Sequence, residues 1–213
     1  MNLWRVGMEK DFWQDKWINK QIGFHQDEFN PYLFRNWAHV AEGKKGAVFV
    51  PLCGKTKDMI FLKNQGHEVV GVEFVESAVK EFFLENSIDF QKDIQKQYIK
   101  YTSDKITIYV GDLFDMPASL FSHCDLFYDR ASLIALPRDL RFKYVNKVKE
   151  LKLKKGLLVT ISFDDSELGP PHSVPPVDVI DLFEGEIELD LLEQVKETGE
   201  DISVHKDQIE NLF

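Results

Sequence analysis

The sequence predicts an α/β enzyme with a doubly wound, mostly parallel, Rossmann-like sheet and helices on both faces. Two observations carry this. Between residues 47 and 164, short apolar runs alternate with amphipathic stretches. The first and last of these runs, AVFVPLC (47–53) and GLLVTISFD (156–164), are almost wholly apolar, as strands covered on both faces are. Alternating strand and helix implies parallel pairing through right-handed crossovers. Ligands of such sheets bind at the C-terminal ends of the strands, near the switch in strand order.

The elements follow in order. Residues 1–40 read as a helical aromatic lead-in with Phe12, Trp13, Trp17, Ile22, Phe24, Tyr32, Leu33, Phe34 and Trp37. Asn30-Pro31 marks a helix start, because proline is tolerated in the first turn. After the strand at 47–53 comes a helix over 55–66, stopped by Gly66. HEVVGVEF (67–74) is a strand and ESAVKEFFLENS (76–87) a helix. Residues 88–104 are polar and irregular, with a helical stretch near 91–97. Strands at 105–112 and 124–130, a helix over 137–153 opening at Pro137, and the strand at 156–164 complete the core. GPPHSVPP (169–176) is a rigid loop just past that strand, a candidate pocket wall or lid. A helix over 177–185 and a strand over 187–195 follow. The expected layout is one domain over 1–213: a cover (1–40), a cofactor-binding core (46–164), and a segment (165–213) that carries the substrate loop and completes the sheet.

Composition narrows the function. The 213 residues carry a net charge of −10, which argues against nucleic acid or an anionic membrane as the main partner. The two cysteines, Cys53 and Cys124, form no CxxC pair or Cys/His cluster, so no metal site is expected. The first residues, MNLWRVGMEKDFW, lack the apolar run of a signal peptide. The expectation is a cytoplasmic protein with reduced thiols.

The turn after the first strand, VFVPLCGKTKD, carries the most chemistry. A strand that ends in a glycine turn and opens a helix presents backbone N–H groups to an anion. It lacks both the GxGxxG pattern of dinucleotide sites and the spacing of a P-loop. Glu73 ends the second strand about 20 residues after the turn, where an acidic residue accepts ribose hydroxyls. Ribose is common to NAD, FAD and S-adenosylmethionine, so Glu73 points to an adenosine-type ligand and no further. Asp112, or the backbone at Leu113, stands where an adenine edge would lie, although Gly-Asp is also a common turn. Asp129 and Arg130 end the fourth strand. Arg130 is suited to a bidentate carboxylate, and an Asp129–Arg130 ion pair is the plainer alternative. Trp13 and Trp17 share one helical face, as core or as a cation–π cover for a sulfonium. His25 remains ambiguous.

Taken together, FW-x3-W-x4-IGFHQ, VPLCGK, GHEVVGVE, YDRASLIALP and GPPHSVP, in that order and spacing, resemble thiopurine S-methyltransferases of the bacterial type over residues 10 to 185. The resemblance implies a class I methyltransferase fold with a seven-stranded sheet, using S-adenosylmethionine and releasing S-adenosylhomocysteine. It implies cofactor contacts at Trp17, Leu52, Gly54, Glu73, Asp112, Leu113 and Arg130, and an acceptor pocket bordered by Phe24, Arg130 and the 169–174 loop. His172 stands where the family usually has phenylalanine. The segment after 186 matches poorly, and QIENLF (208–213) reads as a final strand left incomplete.

Methyl transfer from a sulfonium to a soft anion needs positioning and desolvation more than a base. No catalytic base is therefore assigned, and Arg130 is the orienting candidate. The implied acceptor is a small thiol, with selenium and tellurium species as acceptors implied for bacterial relatives, and the expected state is a monomer. A related thiol or halide methyltransferase and a non-catalytic cofactor-binding protein are the alternatives.

Overall fold

The computed structural model describes residues 3–164, 169–185, 187–196 and 208–213. The chain opens with α1 (Leu3–Ile18) and α2 (Pro31–Ala41). The start of α2 lies at the expected place. Asn30 accepts from the amides of Tyr32 and Leu33, and Pro31 fills a position whose N–H has no helical partner.

Strand and helix then alternate as β1 (Ala47–Val50), α3 (Asp58–Asn64), β2 (Glu68–Glu73) and α4 (Glu76–Glu85). The hairpin β3 (Gln91–Ile94) and β4 (Ile99–Thr102) leads into β5 (Ile106–Val110). Next come β6 (Cys124–Arg130), the short α5 (Ser132–Ala135), α6 (Arg138–Glu150) and β7 (Lys155–Ser162). Last come α7 (Pro176–Phe183), β8 (Glu193–Lys196) and β9 (Ile209–Leu212).

One sheet runs β3-β4-β5-β2-β1-β6-β7-β9-β8. The central strands β5, β2, β1, β6 and β7 are parallel, and the flanking pairs are antiparallel. The order reverses between β1 and β6, so the crevice at their C-terminal ends is the place for a ligand. The apolar character of β1 follows from two-sided burial. Ala47 and Phe49 join one core with Tyr144, Val145 and Leu158, while Val48 and Val50 join another with Trp37, Met59 and Phe82. Among the described residues no helix is long and apolar enough to cross a membrane.

Three expectations need correction. The helical stretch near 91–97 is the β3–β4 hairpin, which extends the expected seven strands to nine. All four β3 residues are exposed, so this edge strand has the polar composition of a loop. Its partner β4 is anchored by Tyr101, which is buried against Phe83 and Phe90 and donates to Glu76. The strand expected over 187–195 is only Glu193–Lys196. The final strand is not left incomplete: β9 pairs with both β7 and β8, and buried Phe213 exchanges two 2.9 Å backbone bonds with Leu158.

Candidate active site at the ends of the central strands

β1 ends at Val50 because the next residues turn sharply. Leu52 and Gly54 both take left-handed φ, +42° and +51°, and α3 begins only at Asp58. The turn is tied to β2. The Cys53 amide donates to Val72, and the Gly54 amide donates to Glu73 Oε2 at 2.8 Å. Glu73 Oε1 accepts from Val75 at 2.7 Å, fixing the start of α4 as well. Burial raises the Glu73 pKa, and the backbone donors work against that rise. A carboxylate offers about four lone-pair directions. Backbone N–H groups of Val75, Gly54 and Phe74 take up to three, which leaves capacity for a ribose hydroxyl.

Gly54 has a second reason to be glycine. A Cβ there would lie 3.2 Å from Cζ2 of Trp17, whose ring covers the turn and packs with Val75 and Ala78. Phe24 meets Trp17 edge-on at 5.7 Å and Trp13 at 5.4 Å. The aromatic lead-in therefore sits on the turn after β1. Lys20, just past α1, and Lys55 of the turn both bind Glu81 of α4, and Lys55 also binds Glu85 at 2.7 Å. Burial, then the charge of Lys55, lowers the pKa of His25.

Past β5, the Gly111 amide donates to the Glu73 carbonyl at 2.9 Å, which brings Asp112 and Leu113 beside the end of β2. Asp112 Oδ1 accepts from the Phe114 amide at 2.9 Å, shaping its own turn, and Leu113 is buried.

Arg130 is paired, but not with Asp129. Successive strand residues point to opposite faces, which separates the two side chains. Asp129 accepts from Ser132 and from Tyr144 on α6, at 3.0 and 2.6 Å. Arg130 Nε instead donates to Asp58 Oδ2 at 3.1 Å. Burial alone would lower the Arg130 pKa; the charges of Asp58 and Tyr128 outweigh it and hold the guanidinium protonated. Burial, then nearby Glu73, pushes the Cys53 thiol well up, so it is no nucleophile.

His172 stands on the loop past β7. Its amide donates to Ile134 at 2.7 Å, and its ring folds over Gly169, where a Cβ would meet Nδ1 at 2.1 Å. Val174 closes the loop onto β7, donating to Ile161 and accepting from Thr160. A cavity of about 320 Å³ beyond the end of β7 is lined by residues that include Ser162, Asp164, Ser173 and Asp178. Ser173 belongs to the loop expected to border the acceptor, but none of the expected cofactor contacts lines this cavity, and the cofactor chemistry is better located by the buried charges at β1, β2 and β6. Among the described residues no cluster of His, Cys, Asp or Glu is arranged to hold a metal.

The structure thus gathers Trp17, Phe24, Leu52, Gly54, Glu73, Asp112, Leu113 and Arg130 around the ends of adjacent strands, with His172 on the loop past β7. Sequence reasoning missed Asp58, Lys55 and Tyr128. Asp58 stands in the first turn of α3, where an acidic residue reads as an ordinary helix start.

A dinucleotide would need further glycines in the turn, whereas the glycine approach and the buried acid at β2 suit an adenosyl sulfonium. Fold and site define an S-adenosylmethionine-dependent methyltransferase. A family model described as thiopurine S-methyltransferase matches residues 8–213, and the chain belongs to that family. It is 41% identical over 172 residues to a thiopurine S-methyltransferase from a Shewanella species, covering 79% of each chain. It is 40% identical over 195 residues to one from Pseudomonas fluorescens, covering 91% of this chain and 90% of that one. The fold is similar to that of a Burkholderia thailandensis 1,6-didemethyltoxoflavin-N1-methyltransferase with bound S-adenosylhomocysteine. That match has a TM-score of 0.64 at 12% identity and covers 98% of this chain and 87% of that one.

Proposed function

We propose that this S-methyltransferase transfers its methyl group to an anionic sulfur of a small heteroaromatic or similar thiol, with selenium and tellurium anions as further acceptors. The bound cofactor supplies a methyl group already activated by its sulfonium charge. The acceptor lone pair forms the new bond to carbon as the old carbon–sulfur bond breaks, leaving the thioether S-adenosylhomocysteine and a methylated, less charged acceptor.

The residues have separable roles in this reading. Gly54 admits the methionine part close to the backbone, Glu73 takes the ribose hydroxyls, and Asp112 with Leu113 borders the adenine. Trp17 and Phe24 cover the site and exclude water, which strengthens the attraction between opposite charges inside. His172 and the 169–174 loop form the far wall of the acceptor pocket. The chain acts as a cytoplasmic monomer on small molecules, a reading supported by its net charge of −10.

One observation carries the acceptor chemistry. Arg130 is a protonated side chain at the end of β6 with only Nε hydrogen-bonded among the described residues. A cation there holds an acceptor as its anion and needs no base. Labelled S-adenosylmethionine incubated with thiopurines, other thiols and selenite tests it. Transfer to at least one anionic acceptor is expected, reduced about 100-fold or more in Arg130→Ala. Full turnover and cofactor affinity in Arg130→Ala would remove the role of Arg130.

A further inference from the structure

Asp58 is fully buried and lies four residues after Gly54. Its carboxylate joins three separate elements. Oδ1 accepts from the amide of Asn30, the cap of α2, at 2.7 Å. Oδ2 accepts from the Tyr128 hydroxyl at 2.9 Å and from Arg130 Nε at 3.1 Å. A guanidinium has five N–H donors in a fixed plane. Holding Nε from one side fixes that plane and leaves the two terminal nitrogens, bonded to no described residue, for a ligand.

We propose that Asp58 is a positioning residue for methyl transfer, orienting Arg130 so that its terminal nitrogens meet the acceptor anion. This rests on the role of Arg130 proposed above. The inference gives Asp58 a use beyond structure: the residue that starts α3 beside the cofactor turn also aims the cation at the acceptor, tying the two halves of the site together. Besides Asp58, the titratable groups that act electrostatically with Arg130 are Tyr128, Asp129, Glu210 and His25.

The test is Asp58→Asn in the full chain, assayed for kcat, acceptor KM, cofactor affinity by calorimetry, and the pH dependence of kcat, which reports the bound state. Asparagine keeps the shape, and its carbonyl still accepts from Asn30, but its amide then faces two donors. The expected result is a loss of about tenfold or more in kcat/KM for an anionic thiol. Cofactor affinity should stay within about threefold. The acid limb of the pH profile should move upward, because a displaced cation no longer favours the bound thiolate.

Tyr128→Phe removes one bond to Asp58 and keeps the contact of Asp58 with Arg130 Nε, so it should move the acid limb less than Asp58→Asn does. Should Asp58→Asn not fold, Asp58→Glu and Arg130→Lys replace it; both keep charge but misplace the Nε contact, and both should move the acid limb. The double variant Asp58→Asn with Arg130→Lys should lose no more than the worse single change.

A folded Asp58→Asn with wild-type kcat/KM and pH profile, alongside a crippled Arg130→Ala, would overturn the positioning role alone. If Asp58→Glu and Arg130→Lys stand in, an unmoved acid limb in both would do the same. Equal activity in Arg130→Ala would instead overturn the reading beneath it.

Discussion

The turn after β1 with β2, and the end of β6, hold their candidate site residues by different means. Around β1, β2 and α4, backbone groups do most of the work. Glu73 accepts from the amides of Gly54, Val75 and Phe74, Gly111 donates to the Glu73 carbonyl, and Leu52 and Gly54 take left-handed φ within a turn of seven residues. Around β6, side chains do more of it, two of the pairs spanning 70 and 72 residues. Arg130 meets Asp58, Tyr128 meets Asp58, and Tyr144 meets Asp129. Backbone geometry is shared by any chain that must bind one cofactor, while side-chain pairs vary without moving the sheet.

Breaking the backbone half should have the largest effect. Glu73→Ala orphans the buried amides of Gly54 and Val75, at about 1–3 kcal/mol each. Thermal unfolding should shift down accordingly, and cofactor affinity measured by calorimetry should fall about 100-fold or more, with the ribose contacts gone. Wild-type affinity in a folded Glu73→Ala protein would place the ribose elsewhere.

Gly54→Ala is milder. Left-handed φ costs a non-glycine residue about 1–2 kcal/mol, and the new Cβ meets Trp17 at 3.2 Å. Cofactor affinity should fall about tenfold, while the relative rates among acceptors stay unchanged.

His172→Phe sharpens the contrast from the other side. It should improve kcat/KM for apolar heteroaromatic thiols about threefold and leave cofactor affinity alone, since an added apolar contact in a pocket is a modest effect. A change in cofactor affinity larger than the change in acceptor kcat/KM would place His172 on the donor side.

Glu76→Gln should have the smallest effect on methyl transfer; its cost is in stability, largest at neutral pH and shrinking as pH falls. Hydrogen bonds from Lys92 and Tyr101 pull the Glu76 carboxyl from its ordinary 4.5 down to about 2. A depressed folded-state pKa gives stability that is present above the unfolded value and lost as pH falls through the folded one. Wild-type stability should therefore decline between about pH 4.5 and 2 more steeply than that of Glu76→Gln, as read from urea midpoints across that range.

The same contrast explains what was legible in the sequence. The β1 turn, Glu73 and the strand–helix alternation depend on residues close together in the chain, and a short string such as VPLCGK displays them. The Asp58–Arg130 pair spans 72 residues, and no local pattern announces it. Asp129 beside Arg130 looked like the partner only because adjacency in sequence conceals that strand neighbours face apart. The β3–β4 hairpin was hidden by its exposed, polar edge strand, and β9 by a short segment whose partners lie far earlier in the chain.

The location of the donor site is tested most directly by hydrogen–deuterium exchange of the full chain with and without S-adenosylhomocysteine. Protection is expected at residues 52–56, 73–75 and 112–114 and in the aromatic cover at 13–25, with the 169–175 loop unchanged until an acceptor is added. Protection confined to the 169–175 loop, with none at the turn after β1, would contradict it.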